Sequence, residues 1–381
     1  MQKILITGGA GFIGSRLALA LSAKGHQVRV LDNLSPQIHG EVPEQSPLYR
    51  TIAGKVDFIR GSVTSRGDLA RALQGMSTVV HLAAETGTGQ SMYAIQHYSD
   101  VNVGGTALLL DIIANKPYPV EKLVVASSRA IYGEGRYHCA QHGMVYPAMR
   151  TVETMKNGQF EPLCPSCAKP VSAVATDEST PGRPSSIYGV TKLAQEQLVL
   201  TLGQALGISA LAFRYQNVYG PGQSLSNPYT GILSIFSTRI LNGNPINIFE
   251  DGRESRDFVY IDDVVAATVL GIEHSSRLVD VFNVGSGKPV DVMTVASLLQ
   301  TELGQSVPTS VSGQFRAGDI RHNYADLSKI SGVLGFKPSV QIKEGLARFI
   351  AWVKQEQVQP DRFEQTMQEL KMKGLLNGRA E

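Results

Sequence analysis

The sequence is poor in the features that define several protein classes. Cysteine is scarce: three residues in 381, an odd number, unlike the disulfide framework of a small secreted domain. Charged residues make up only 18% and are nearly balanced, 35 Lys+Arg against 33 Asp+Glu for a formal net charge of +2. Such a composition argues against disorder and coiled coil, and no basic run marks a nucleic-acid footprint. No apolar stretch reaches the roughly 18 residues of a membrane-spanning helix. The apolar start MQKILITGG is halted by glycines too early for a signal peptide. The expectation is a soluble, cytoplasmic α/β protein that partners neither nucleic acid nor membrane. What the chain has in excess is glycine, 38 of 381, against a usual share of about 7%. Its 43% hydrophobic content is enough for a large core.

The first forty residues put those glycines to use. Lys3–Thr7 is a short, almost continuously apolar run, as expected of a strand buried on both faces of a parallel sheet. Gly8-Gly9-Ala10-Gly11-Phe12-Ile13-Gly14 follows, then apolar residues at helical spacing to Lys24, a turn at Gly25 and a second strand, Gln27–Asp32. This is one βαβ unit. Gly8 allows a sharp turn, Gly11 a close backbone approach to a pyrophosphate, and Gly14 tight packing of the helix. The free N–H groups at the helix start would meet the phosphate charge. Asp32, 21 residues after Gly11, stands where a carboxylate accepts the ribose hydroxyls of NAD and repels the 2′-phosphate of NADP. NAD is the expected cofactor.

TGGAGFIG, with its G-x-x-G-x-x-G spacing, resembles the extended short-chain dehydrogenase/reductase family, the nucleotide-sugar epimerases and dehydratases. The resemblance continues in VVHLAA (residues 79–84), in Asn102, in VVASS (124–128) before Ile131-Tyr132-Gly133, in Tyr188-Gly189-Val190-Thr191-Lys192, in FRYQNVYGP (213–221) and in RDFVYIDD (256–263). One departure is Gly61-Ser62, where many members carry Gly-Asp beside the adenine. The resemblance implies a cofactor site formed by Gly8, Gly11, Phe12, Ile13, Gly14, Asp32, Asn33, Leu82, Ala83, Ala84 and Asn102, together with Tyr188 and Lys192. It implies a Rossmann-type doubly wound parallel sheet with a smaller C-terminal substrate domain, and a homodimer.

Tyr188 and Lys192 match the family's catalytic Y-x-x-x-K. Val190, Leu193, Ala194 and Leu198 recur at helical spacing, so the two share a helix face. A free phenol has a pKa of about 10, and bringing it near 7 requires about 4 kcal/mol of preference for the phenolate. The Lys192 ammonium and the positive nicotinamide ring are the expected sources. Tyr118 and Lys122 also satisfy the pattern but lie in a turn beside Pro117 and Pro119. Ser128, four residues before Tyr132, is the expected third catalytic group, with Ser127 its rival.

Family dehydratases carry Asp-Glu directly after the strand-end hydroxyl. Here Arg129-Ala130 stands there, which disfavours dehydration, and the Glu usual in decarboxylases is missing too. Transient oxidation to a 4-keto sugar with hydride return to the opposite face, hence 4-epimerisation of a dTDP- or UDP-hexose, is the expected reaction. A decarboxylase or dehydratase is the alternative, and a non-catalytic NAD-binding scaffold a further one. For a nucleotide-diphosphate sugar, the family positions point to Ser127, Ser128, Arg129, Asn217, Arg256, Arg316 and Asp319 as substrate contacts. Asn323 is a candidate limiter of sugar size.

Between Gly133 and Pro184 two short turns, Cys139-Ala140-Gln141-His142 and Cys164-Pro165-Ser166-Cys167, use all three cysteines. Two C-x-x-[CH] turns are what tetrahedral zinc requires. Cys139, His142, Cys164 and Cys167 are the expected ligands of a structural, non-catalytic zinc, with His138 a rival to His142. Three buried cysteines or a redox C-x-x-C are the competing readings. SSRAIYGEG together with this insert is similar to the dTDP-L-rhamnose 4-epimerase branch of the family. Ordering the insert needs more than the metal, so Tyr146, Met149, Phe160 or Leu163 should dock on the body. The expected organisation is an NAD-binding domain of residues 1–215 and 256–284 containing the zinc-binding insert 134–183, a nucleotide-sugar-binding domain of 216–255 and 285–360, and a tail, 361–381. In the tail Phe363, Met367 and Leu370 recur at helical spacing, and a surface helix is expected in preference to a docked helix or dimer contact.

Overall fold

Alternate residues of the first strand, Lys3–Thr7 (β1), face opposite cores: Ile4 and Ile6 point into one, Leu5 into the other. The same alternation runs through the strands Thr78–His81 (β4), Lys122–Ser128 (β5) and Ser209–Tyr215 (β6). Val80, Val124, Ala126, Leu211 and Phe213 join Ile4 and Ile6, whereas Val79, Leu123, Val125, Ala210 and Ala212 join Leu5. A strand has a period of two, so a run apolar at every position can be buried only if both faces are covered. In this computed structural model, which describes residues 1–225, 227 and 231–378, both faces are covered.

Gln27–Asp32 (β2), Asp57–Arg60 (β3) and Val279–Val284 (β7) complete a seven-stranded sheet in the order β7-β6-β5-β4-β1-β2-β3. Every neighbouring pair is parallel. The helices Phe12–Ala23 (α1) and Ile261–Glu273 (α6) cover one face. Arg66–Leu73 (α2), Gly105–Asn115 (α3) and Ile187–Leu206 (α4) cover the other. This is the expected Rossmann-type sheet, and its order reverses between β1 and β4, the place where such sheets bind ligands.

The helices Ile232–Leu241 (α5), Val292–Leu303 (α7) and Ile342–Val353 (α8) pack against one another beside the sheet, with Phe236, Ile240, Val295, Leu299, Leu346 and Phe349 buried among them. Short strands tie this part to the rest. Ser255–Tyr260 pairs with Asn217–Tyr219, with Pro289–Asp291 and with His322–Asn323.

The insert has its own small antiparallel sheet of Tyr137–Cys139, Gly143–Val145 and Ser172–Ala173. Of the four docking residues proposed for it, Phe160 is buried edge-on against Phe315 with ring centroids 6.4 Å apart, and Met155 joins them. Met149 is exposed.

The terminal segment departs from expectation. Phe363–Met372 (α9) is docked rather than lying free on the surface: Phe363, Met367 and Leu370 pack on Tyr93, Ile235 and Phe249. Arg239 stacks over the Phe363 ring at 4.2 Å. Leu376–Asn377 then adds a strand to Phe315–Arg316. The apolar stripe was visible in the sequence, but its partners lie more than a hundred residues away. Among the described residues no helix is long and apolar enough to cross a membrane.

Candidate active site

A cleft of about 480 Å³ opens at the carboxyl ends of the strands. Gly8, Gly11, Phe12, Ile13, Gly14, Asp32, Asn33, Leu82, Ala83 and Ala84 line it, and so do Ser127, Ser128, Arg129, Tyr188, Lys192 and Asn217. Residues spread over more than two hundred positions thus meet at one switch point.

The glycine turn is sterically obligatory at two of its positions. Gly8 has φ +67°, and a Cβ there would stand 2.7 Å from the Ala83 nitrogen. At Gly14 a Cβ would come within 2.3 Å of the Gly8 carbonyl oxygen, so the helix closes on the turn itself. Gly11 occupies the N-cap of α1 with no side-chain cap, and the first turn of α1 has no acidic residue. The first N–H groups of that helix therefore have no side-chain acceptor, as an anion site requires. Asp32 accepts hydrogen bonds from the Ala10 N–H (3.0 Å) and the Leu34 N–H (2.8 Å). Each carboxylate oxygen keeps a further lone pair for a ribose hydroxyl. An uncapped helix start, a turn that excludes Cβ atoms and an acid at the end of β2 together fit a dinucleotide.

Sequence reasoning missed His39, which also lines this end of the cleft. It hydrogen-bonds Ser46 Oγ at 2.8 Å and lies 4.0 Å from Asp32. Burial lowers its pKa, against the pull of Asp32. It sits in a short helix of four residues, Pro36–His39, and no motif announces it. Asn102 does not line the cleft. It is fully buried, bonds both main-chain groups of Glu85 (2.7 and 3.1 Å) and reaches Thr191 on α4 (3.0 Å), bracing the loop that follows β4.

At the other end stands Tyr188, in the first turn of α4, a helix capped by Ser186 Oγ accepting from the Gly189 N–H. Burial raises the phenol's pKa, opposed by a hydrogen bond with Ser128 and by the Arg129 charge. This differs from the expectation that Lys192 would do the lowering. The Lys192 ammonium is itself so buried that its pKa falls to about 7, opposed by Glu196, and it donates to Gln195 Oε1 at 2.8 Å. Between the two serines the geometry favours Ser128. The Ser127 hydroxyl is spent on Glu196 Oε2 (2.6 Å), which Arg214 holds in turn. Tyr118 and Lys122, the rival pair, bond the carbonyls of Ala70 and of Gly271, Ile272 and His274, away from the cleft.

Arg129 Nε donates to Asn217 Oδ1 at 2.6 Å. Its pKa is lowered by burial and then by the charge of Arg256. Arg256 itself donates to the carbonyls of Ser255, Ile320 and Arg321, and Arg316 is paired with Asp319 at 2.7 Å. Arg256, Arg316 and Asp319 are therefore gathered beside the cleft rather than in its lining. Asn323 is buried against Thr176 and Gly135. Sequence reasoning also missed Gln216. It lines the cleft, is 4% exposed, and neither its amide oxygen nor its amide nitrogen has a partner.

In the insert, Cys139, His142, Cys164 and Cys167 converge with all ligand atoms within 4.8 Å of one another. Cys139 Sγ lies 3.8 Å from Cys167 Sγ, and His142 Nδ1 lies 3.7 and 3.5 Å from the sulfurs of Cys139 and Cys164. A zinc tetrahedron with ordinary bond lengths has edges of about 3.8 Å between sulfurs and about 3.6 Å between sulfur and nitrogen.

A parallel sheet in this order, with a glycine turn at its switch point and a Tyr and Lys one helical turn apart over the same cleft, defines the dinucleotide-binding class of α/β enzymes. Within that class, the profile of the NAD dependent epimerase/dehydratase family matches residues 4–285, and the chain belongs to that family. It is 38% identical over 361 residues to a dTDP-L-rhamnose 4-epimerase of Burkholderia thailandensis, covering 93% of this chain and 96% of the relative. Among solved structures it is similar to the UDP-glucuronic acid 4-epimerase of Bacillus cereus in complex with UDP-glucuronic acid and NAD (TM-score 0.75, 27% identity, 93% of this chain and 99% of that one). It is likewise similar to a UDP-glucose 4-epimerase of Thermotoga maritima with UDP-glucose (TM-score 0.74, 29% identity, 93% and 99%).

Proposed function

We infer that the protein is an NAD-dependent nucleotide-sugar 4-epimerase acting on a dTDP- or UDP-hexose. The observation that carries the reading is that Ser128 and Tyr188 line one cleft, where Ser128 opposes the burial that raises the phenol's pKa, with Arg129-Ala130, not a carboxylate pair, following Ser128. The arrangement can move one proton at one oxygen, and it has no acid–base pair there for eliminating water. When bound, NAD⁺ accepts the hydride from the sugar's C4 and gives it back. Tyr188 Oη takes the proton of the C4 hydroxyl as that hydride leaves. Ser128 donates a hydrogen bond to the same sugar oxygen. The keto sugar then turns over, and Tyr188 returns the proton as hydride arrives on the other face, so nothing is consumed.

Arg129, whose pKa is lowered by burial and by the nearby charge of Arg256, forms with Arg256 a natural seat for a diphosphate, whose charge offsets their repulsion. Arg316 and Asp319 are proposed to meet the nucleoside. The free Gln216 amide, with one donor and one acceptor end, suits a sugar hydroxyl or the nicotinamide carboxamide. The thymidine-linked substrate is favoured over the uridine-linked one by the relative at 38% identity. We further propose zinc at Cys139, His142, Cys164 and Cys167. Four protein ligands close its shell, so it holds the insert and activates no water.

The test is to incubate the purified protein with dTDP- and UDP-hexoses and resolve the products by NMR while following NADH absorbance. A 4-epimer without net NADH is expected. Net NADH or a 4-keto-6-deoxy product would refute epimerisation. Tyr188→Phe should lower kcat by about 10³-fold or more while bound NAD is retained, and undiminished turnover would remove Tyr188 from the mechanism.

A further inference from the structure

Two buried cations belong to no part of the chemistry above. Arg321 is 0% exposed and Arg150 is 8% exposed. Arg150, from the insert, donates to Glu134 Oε1 (2.8 Å), to both oxygens of Glu250 (2.9 Å) and to the carbonyls of Phe160 (3.0 Å) and Asp319 (2.8 Å). Glu134, the first residue of the insert, accepts the main-chain N–H of Arg321 at 2.7 Å. The Arg321 guanidinium bonds Glu161 of the insert (2.6 and 2.8 Å) as well as Glu250 and Asp251.

The consequence lies in the segment 316–321, which carries Arg316 and Asp319. It is irregular chain between the strands Phe315–Arg316 and His322–Asn323. Buried main-chain groups need partners, and here they find side chains of other segments. Asp319 C=O has Arg150, Arg321 N–H has Glu134, and Gly318 C=O has Ser185 Oγ at 2.7 Å. Arg256 holds the carbonyls of Ile320 and Arg321. The backbone that carries Arg316 and Asp319 is thus shaped from the insert side by a guanidinium and a carboxylate that lie outside the cleft lining.

We propose that the insert is a positioning device for the nucleotide end of the substrate, with Arg150 and Glu134 as positioning residues that set the 316–321 segment. This rests on the reading of Arg316 and Asp319 as nucleoside contacts. It assigns the insert a role in affinity, not in the chemical step, which takes place at Tyr188 on a different element.

The test uses the full-length NAD-loaded protein and three variants, Arg150→Lys, Glu134→Gln and Glu161→Gln. Lysine keeps the charge of Arg150 but cannot reproduce a fork spanning four groups. Binding of UDP and dTDP is measured by calorimetry, and KM and kcat with the nucleotide sugar, alongside bound NAD and zinc content. Arg150→Lys and Glu134→Gln should weaken UDP or dTDP binding and raise KM about tenfold, leaving kcat within about twofold and NAD unchanged. Unchanged nucleotide affinity, or a fall in kcat at constant KM, would overturn the proposal. Should Arg150→Lys not fold, Glu161→Gln decides it, because its carboxylate is half-exposed yet holds Arg321; undiminished affinity there counts against the insert. If the unmodified protein binds nucleotide but turns over no sugar, the epimerase reading fails while the binding measurements still judge this one.

Discussion

The Lys192 ammonium is hydrogen-bonded at 2.8 Å to the side-chain oxygen of Gln195, three residues further along the same helix. Gln195 in turn donates to Thr106 Oγ1 at 2.7 Å and meets His81, which bonds Thr7 of β1. The lysine in the cleft lining therefore ends a buried polar chain that runs under helices α3 and α4 to the adjacent strands β1 and β4. Burial and the Lys192 charge push the His81 pKa down to about 3, so this imidazole stays neutral and leaves the only positive charge in the chain on Lys192.

That relationship makes a prediction about pH. The Lys192 pKa is lowered to about 7, so its charge is present below that pH and lost above it. Gln195→Leu removes the acceptor and lowers the pKa further, since a hydrogen bond to a charged group is worth about 1.5–3 kcal/mol. The alkaline fall of kcat/KM should move to lower pH by about one unit. Superimposable pH–rate profiles for variant and parent would show that this ammonium does not govern the limb.

The insert makes a second prediction. Protein prepared without chelator should contain about one zinc per chain by elemental analysis, and Cys164→Ser should lose most of it. Structural zinc contributes on the order of 10 kcal/mol in small domains, so the variant's melting temperature should fall and proteolysis should begin within residues 134–183. Full metal content in Cys164→Ser would exclude the four-ligand site.

Glu254 yields a third. Burial and the neighbouring Glu250 charge raise its carboxyl to about 7, against Arg256 and Arg321, and its Oε2 has no partner. A carboxyl whose folded pKa is raised binds more protons folded than unfolded. Its contribution is complete below about pH 4.5 and is lost as pH rises to about 7. At about 1.4 kcal/mol per unit this is at most about 3 kcal/mol. Glu254→Gln should flatten that decline, being more stable than the parent at pH 8 and close to it at pH 5. Thermal melts across this range check it, and parallel curves would show that Glu254 does not titrate there.

Much of the site was legible because its parts are local. Gly8, Gly14 and Asp32 lie within one βαβ unit, and the Tyr188–Lys192 spacing is a helical turn. The two cysteine turns carry their own spacing rule, and His142 was separable from His138 by it. The source of help for the phenol was not legible. Burial weakens Lys192, and Arg129 faces Tyr188 only because β5 ends beside α4. Gln216 and His39 were missed for the same reason: nothing in a neighbouring residue reveals an unpartnered amide or a histidine folded back on Asp32.

Periodicity and glycine placement by themselves determined the first βαβ unit, its glycine turn and the place of Asp32, because they act over a few residues and depend on steric and hydrogen-bonding rules that hold in any context. The family resemblance of the sequence supplied most of the other groups in the cleft. Tertiary structure alone decided which charges are weakened by burial, that Asn102 braces a loop, that the terminal helix is docked, and that Arg150 reaches the carbonyl of Asp319. Each of those depends on which distant segments exclude water together, and desolvation is a property of the packed whole.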